Sequence, residues 1–220
     1  MCKSVETSLA TYAVSLSCIG ICWYLYGSDQ SAKGVRFASI FIATFASMQL
    51  LDAGLWWSIN NRNKAVNRAI TRYAIPALLA VELSVSYLSA RFIFGWRNAY
   101  YELGLAVFVT FILLGWWFKY CPGSVASYTA PHPSDGYLHW CGIELNTLVR
   151  TLFCAFLFAP VVLGLPASET VIKYVIIIPI LATFLFNFNK VTFGSRWCWS
   201  ANITALALLA YVIYLKFKPI

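Results

Sequence analysis

Read in order, the chain is a succession of long apolar runs separated by short polar breaks. Seven runs can be drawn, at roughly 8–26, 37–59, 70–90, 99–118, 148–166, 171–188 and 197–215. Each is close to the about 20 residues that a helix rising about 1.5 Å per residue needs to cross about 30 Å of hydrocarbon. A membrane barrel would instead alternate polar and apolar positions with a period of two. Runs such as YVIIIPILATFLF, residues 174–186, do not alternate. The pattern therefore predicts an all-α, polytopic membrane protein: a bundle of seven transmembrane helices forming a single transmembrane domain over 1–220, with one long loop at 119–146.

Seven crossings put the two termini on opposite sides. We name the side holding the N-terminus side A and the other side B. Side A then carries the connections at 60–69, 119–146 and 189–196, and side B those at 27–36, 91–98 and 167–170. Lys and Arg divide nine to seven between A and B (Lys3, Arg62, Lys64, Arg68, Arg72, Lys119, Arg150, Lys190, Arg196 against Lys33, Arg36, Arg91, Arg97, Lys173, Lys216, Lys218). That margin is too small for the positive-inside rule to orient the chain. Tryptophan is less even: Trp56, Trp57, Trp116, Trp117, Trp140, Trp197 and Trp199 belong to side A, leaving Trp23 and Trp96 on B. An aromatic belt is the ordinary account of Trp at helix ends, and a lined cavity is the other.

Composition agrees with a membrane class: 60% of residues are hydrophobic and only 11% charged. The formal charge of +8 would otherwise invite nucleic acid as a partner. Its basic residues are spread over loops and helix ends, the snorkelling pattern of a membrane protein, so the expected partner is the lipid bilayer and not nucleic acid. A homo-oligomer is compatible with such a chain. The first run, preceded by Lys3, is read as a retained helix because no convincing small-residue cleavage site follows it. The seven cysteines are scattered and odd in number, which argues against a disulfide framework.

Polar residues inside the runs carry the candidate chemistry. In SMQLLDAGLWWS, residues 47–58, Gln49, Asp52 and Trp56 follow i, i+3, i+7 and share one helix face, with Trp57 turned about 100° away. On the third run Glu82 falls near the bilayer centre, with Ser86 and Ser89 continuing its face. A carboxyl group there costs a few kcal/mol on insertion scales, so it is expected to face the bundle interior with a partner. One account is structural, a hydrogen bond such as Gln49 to a protonated Glu82 joining two helices. The other is a site for a proton, ion or small polar solute, formed by Gln49, Asp52, Glu82 and Asn202 with Trp56 and Trp199 as aromatic walls. Arg72 and Arg150, in the first turns of the third and fifth runs, are supporting charges. Asn187, Asn189, Lys190 and Arg196 add donors on the same side. This asymmetry predicts a vestibule opening to side A and closed by apolar packing towards B.

The long loop contains Cys121, His132, His139 and Cys141, residue types that bind zinc. Their spacing matches no compact zinc module, so no metal is expected. A Cys121–Cys141 disulfide and free thiols in a covering lid both remain open. No Schiff-base lysine lies inside the seventh run, since Lys216 is at its end, and both histidines are in the loop, so no pair can ligate haem within the bundle. No metalloprotease helix, nucleophile elbow or phosphate-binding glycine loop occurs. No cofactor and no enzymatic activity are expected.

The segments MQLLDAGLWW, IPALLAVE with its Pro76 and Glu82, and GSRWCWSAN resemble a group of uncharacterised multi-span membrane proteins of large DNA viruses and algae. That resemblance covers most of the chain and implies no particular activity. Seven helices in 220 residues are also similar in size to the SWEET and PQ-loop transporters, built as three helices, a linker helix and three more. The clear Pro-Gln pairs of that family are missing from the first and fifth runs, while Pro76 and Asn202 lie near the start of the third and seventh. The leading expectation is a transporter or channel for a small polar solute or ion, with a non-transporting structural or organising protein of a viral or organelle membrane as the alternative.

Overall fold

In the computed structural model the described residues are 3–26, 29, 32–119, 128–131, 133, 136–140, 147–187, 196 and 198–218, without the side chains of 115–119, 147 and 198. The fold is all-α. Seven helices are described: α1 (Val5–Tyr26), α2 (Lys33–Asn60), α3 (Lys64–Phe94), α4 (Ala99–Lys119), α5 (Thr147–Ala159, continued by a π turn over Pro160–Gly164), α6 (Thr170–Asn187) and α7 (Cys198–Phe217). Five of these regions are long and apolar enough to cross a membrane: Val5–Tyr26, Lys33–Asn60, Lys64–Phe94, Ala167–Asn187 and Trp199–Phe217. Two shorter apolar stretches, Ala99–Leu114 and Leu148–Gly164, complete the set. By length and composition this is the architecture of a multi-pass integral membrane protein.

Helices α1 and α7 bury small or mildly polar residues and expose large apolar ones. On α1 the buried stripe is Ser8, Ser15, Cys18, Ile19 and Cys22, while Leu9, Val14, Leu16 and Ile21 are exposed. On α7 the buried stripe is rich in small residues, Ser200, Ala201, Thr204 and Ala205, and Ile203 and Leu206 point outward. Small and mildly polar residues let helix backbones approach, and the large apolar ones face outward, where in a bilayer the solvent is hydrocarbon. In water these outward residues would expose large apolar side chains.

Helix α2 is the hub, packing against α1, α3, α6 and α7. It buries Phe37, Phe41 and Phe45, stacked along one face at ring-centroid separations of 6.2 and 6.0 Å. Its own first turn lacks a side-chain cap from Ala32, and the missing acceptor comes from elsewhere in the chain: Gly34 N–H donates to Glu169 Oε1 at 3.2 Å. A Cβ at Gly34 would overlap that carboxylate.

Helix α3 departs from the sequence expectation in where it begins. The run from 70 starts six residues late, because Asn63 caps the helix by accepting a bond from Val66 N–H at 3.1 Å. A π turn over Ile70–Ala74 then leads into Pro76. Such a turn rearranges the carbonyls that proline, having no N–H, cannot serve. At the other end Gly95, with φ of +75°, closes the helix, its N–H bonded to Arg91 O and that of Trp96 to Ala90 O. This left-handed closure favours glycine and sends the chain straight into α4.

The long side-A loop contains a minimal antiparallel hairpin, Ala130 facing His139 and Pro131 facing Leu138, with Gly136 at φ +67° in its turn. Alternating directions place Ser4 on side A and Lys218 on side B if every helix crosses. Thiol-reactive labelling of single cysteines introduced at Ser4 and Lys218, with native accessible thiols blocked, is expected to reach them from opposite faces of sealed vesicles. Labelling of both from one face contradicts seven crossings.

Candidate functional site

The candidate site forms where the described part of the long loop folds down onto the side-A ends of α2 and α3. Two buried anchors hold it. The first is the Asn67 carboxamide on α3. Its Nδ2 donates to Thr129 O at 3.0 Å and to Ser58 Oγ at 3.1 Å, and its Oδ1 accepts from Thr129 N at 2.9 Å and from Thr71 Oγ1 at 3.4 Å. All four hydrogen-bonding positions of the amide are thus engaged. It serves the loop backbone as a neighbouring strand would, meeting both the N–H and the C=O of one residue. Thr71 and Thr129 hydroxyls pair at 2.8 Å, and Ser58 passes its own proton to Leu55 O at 2.6 Å. Asn67, Thr71, Ser58 and Thr129 are fully buried.

The second anchor is Asp52. Its Oδ1 accepts from the indole Nε1 of Trp140 at 3.1 Å, and both residues are buried. Between the anchors Leu138 is fully enclosed. Outside them, Tyr137 lies between two cations, Lys3 Nζ 4.8 Å and the Arg196 guanidinium 4.4 Å from its ring, and receives the Trp199 Nε1 proton at 3.5 Å. Arg196 also donates to Asn187 Oδ1 at 3.2 Å.

The residues singled out from sequence are placed as follows. Gln49, Asp52 and Glu82 are all buried in the interior. Trp56 is 9% exposed and Trp57 47%, the orientation that the helical period predicts. Asn202 is buried and its Oδ1 accepts from Ser15 Oγ at 3.3 Å, joining α7 to α1. Trp199 is exposed and belongs to the Tyr137 cluster. Arg72 and Arg150 are half-buried, Arg72 lying 5.3 Å from the ring of its neighbour Tyr73. The open vestibule expected above Asp52 is instead roofed there by Trp140 and the hairpin. The reason is physical: the loop supplies the indole donor that a buried carboxylate needs.

Glu82 lies deeper along α3 than these contacts. It is 3% exposed, and its Oε1 has no hydrogen-bond partner among the described residues, Gln49 included. One turn further on, Ser86 Oγ donates to Leu157 O at 3.0 Å, so this face of α3 meets α5. Among the described residues no three His, Cys, Asp or Glu side chains gather as metal ligands. Cys121, His132 and Cys141 lie outside the described residues, as do Asn189, Lys190 and Trp197.

The sequence reading did not single out Asn67, Thr71, Thr129 or Tyr137, and it counted Trp140 only as part of the tryptophan bias. A signal existed: Asn63, Asn67 and Thr71 recur every four residues, one polar face of a helix. Assigning 60–69 to a loop split that face at the wrong place.

The chain matches no family model, no curated protein and no solved structure. Its site therefore rests on geometry.

Removing one member of a buried hydrogen-bonded pair costs about 1–3 kcal/mol. Trp140→Phe and Asn67→Ala are each expected to lower stability by that order in a denaturant titration in detergent. Asp52→Asn, which keeps an acceptor, is expected to lie much closer to the parent. The double variant Trp140→Phe/Asn67→Ala should lose less than the sum, since both residues hold one loop. Full additivity contradicts a shared lid.

Proposed function

We propose that the chain is a seven-span membrane protein that passes a small polar solute or ion, the proton included, through the side-A half of its bundle. The observation that carries this reading is Glu82. A carboxyl group at the middle of a span costs about 3 kcal/mol on insertion scales. Asp52 and Asn202 offset such costs with bonds to Trp140 and Ser15. Glu82 Oε1 has no such compensation among the described residues, so helix gluing does not account for it. A carboxyl oxygen kept without a structural partner suits a group that exchanges a proton or meets a passing solute. Roofing by the loop then corresponds to a state closed at side A, with Trp140 over Asp52.

A second reading has its own support. The satisfied network of Asn67, Thr71, Thr129, Asp52 and Trp140 is what a non-transporting organiser of a membrane would need to fix its fold, with no traffic through it.

Replacing Glu82 by Gln separates the two. Gln is close in shape to a protonated Glu and keeps its hydrogen-bonding capacity, but it carries no exchangeable acid. In liposomes loaded with a pH-sensitive dye, the parent is expected to dissipate a proton gradient and Glu82→Gln to fall to background with unchanged stability. A parent without flux of protons or small ions, together with an unaltered variant, favours the organiser.

A further inference from the structure

We infer that the groove between α3 and α4, on the side-B half, binds a flat lipid with a single uncharged hydroxyl, of the sterol class. The two helices run antiparallel out of the Gly95 turn, and α4 packs on α3. Between them lies a recess of about 300 Å³. It extends from Arg91 and Glu102 to Ser84 and Val109, seven residues along each helix, or about 10 Å at about 1.5 Å per residue.

Its two ends differ in chemistry. The inner part is bounded by Leu88, Leu105 and Val109, and the small side chains of Ser84 and Ala106 leave it unfilled. The Ser84 hydroxyl is turned back to Ala80 O at 2.8 Å, so it brings no unmet donor into the groove. The outer end is a polar triad. Tyr87 OH donates to Glu102 Oε1, and Arg91 NH1 donates to the same oxygen at 3.1 Å. Trp96, edge-on, and Tyr101, tilted, pack beside Tyr87 with ring centroids 5.7 and 5.3 Å away, the aromatic signature of membrane-interface depth. An amphipathic lipid would lie with its head at this triad and its body directed to the bilayer centre.

The triad also selects the head. Arg91 and Glu102 neutralise one another, so the pair offers no net charge to a phosphate, which would have to displace Glu102 from Arg91. A hydroxyl needs no such exchange. It can donate to Glu102 Oε2, since both bonds above use Oε1, and accept from one of the guanidinium's remaining N–H groups. The side chains of Arg91 and Glu102 are 34% and 37% exposed, within reach of a ligand. A rigid body is favoured over a flexible acyl chain because fewer rotors are frozen on binding. The inference requires a membrane but is independent of Glu82.

The test is a photoreactive sterol presented to the full chain in phospholipid nanodiscs, with cross-links mapped by mass spectrometry. Label is expected to concentrate on Leu88, Leu105 and Val109. Ala106→Trp, which fills the groove from an exposed position, should reduce it several-fold. Leu206→Trp, on the outward face of α7, should not. Excess unlabelled sterol should compete and excess anionic phospholipid should not. Val109→Trp serves as a second filling variant should Ala106→Trp fail to fold. Labelling spread equally over α7, indifference to both filling variants, or displacement by anionic phospholipid would each overturn the assignment.

Discussion

Hydrocarbon holds no water, so a polar group inside a membrane bundle must find its partner within the same chain or be carried at a cost. Most of what is built here follows from that constraint. The hydroxyls of Thr44, Ser47, Ser84 and Thr183 turn back to the carbonyls one turn earlier in their own helices. Ser15 pairs with Asn202 across α1 and α7, and Ser86 with a carbonyl of α5. The same rule governs the described part of the long loop. The loop can bury Thr129 because Asn67 meets both its N–H and its C=O, and it can bury Trp140 because Asp52 accepts the indole proton. Asp52 and Trp140 are thus buried as a bonded pair.

Seen this way, the departures from pairing are the informative places. Asp52 stands out in the sequence and is, in the fold, a bonded member of a network. Glu82 stands out equally and lacks a bond at Oε1 among the described residues. The same functional group on neighbouring helices thus stands in two settings, one bonded to a loop and the other with an oxygen that has no partner among the described residues. On side B the Arg91–Glu102 pair, half-exposed at the mouth of a groove, is a third case, in which charges cancel and hydrogen-bonding capacity remains.

Much of the architecture was legible because hydropathy reports apolar helices directly: each of the seven apolar runs coincides with a described helix, and five regions are long and apolar enough to cross a membrane. The face of α2 was legible too, since a period of 3.6 residues separates Trp56 from Trp57 without any tertiary knowledge. What lay beyond reach was long-range pairing. Nothing in LLDAGLWW says that the donor for Asp52 is an indole 88 positions later, and a tryptophan at the membrane edge reads first as a belt residue. The start of α3 was misplaced because hydropathy averages over Asn63–Asn67, where a polar helix turn and a loop look alike. Glu102 and Glu169 went unremarked for a related reason. Their roles, holding Arg91 and Tyr87 in one case and the first turn of α2 in the other, exist only once distant elements meet.

The central claim is that the side-A loop is anchored inside the bundle by side chains of α2 and α3. Hydrogen–deuterium exchange in lipid nanodiscs, resolved to the Thr129 amide, tests it most directly, because that N–H is bonded to Asn67 Oδ1 and fully buried. The account predicts exchange as slow as that of the helix amides beside it, accelerated by Asn67→Ala. Exchange at the rate of an unstructured peptide in the unaltered protein would contradict the anchor, and with it the role assigned to Asp52 and Trp140.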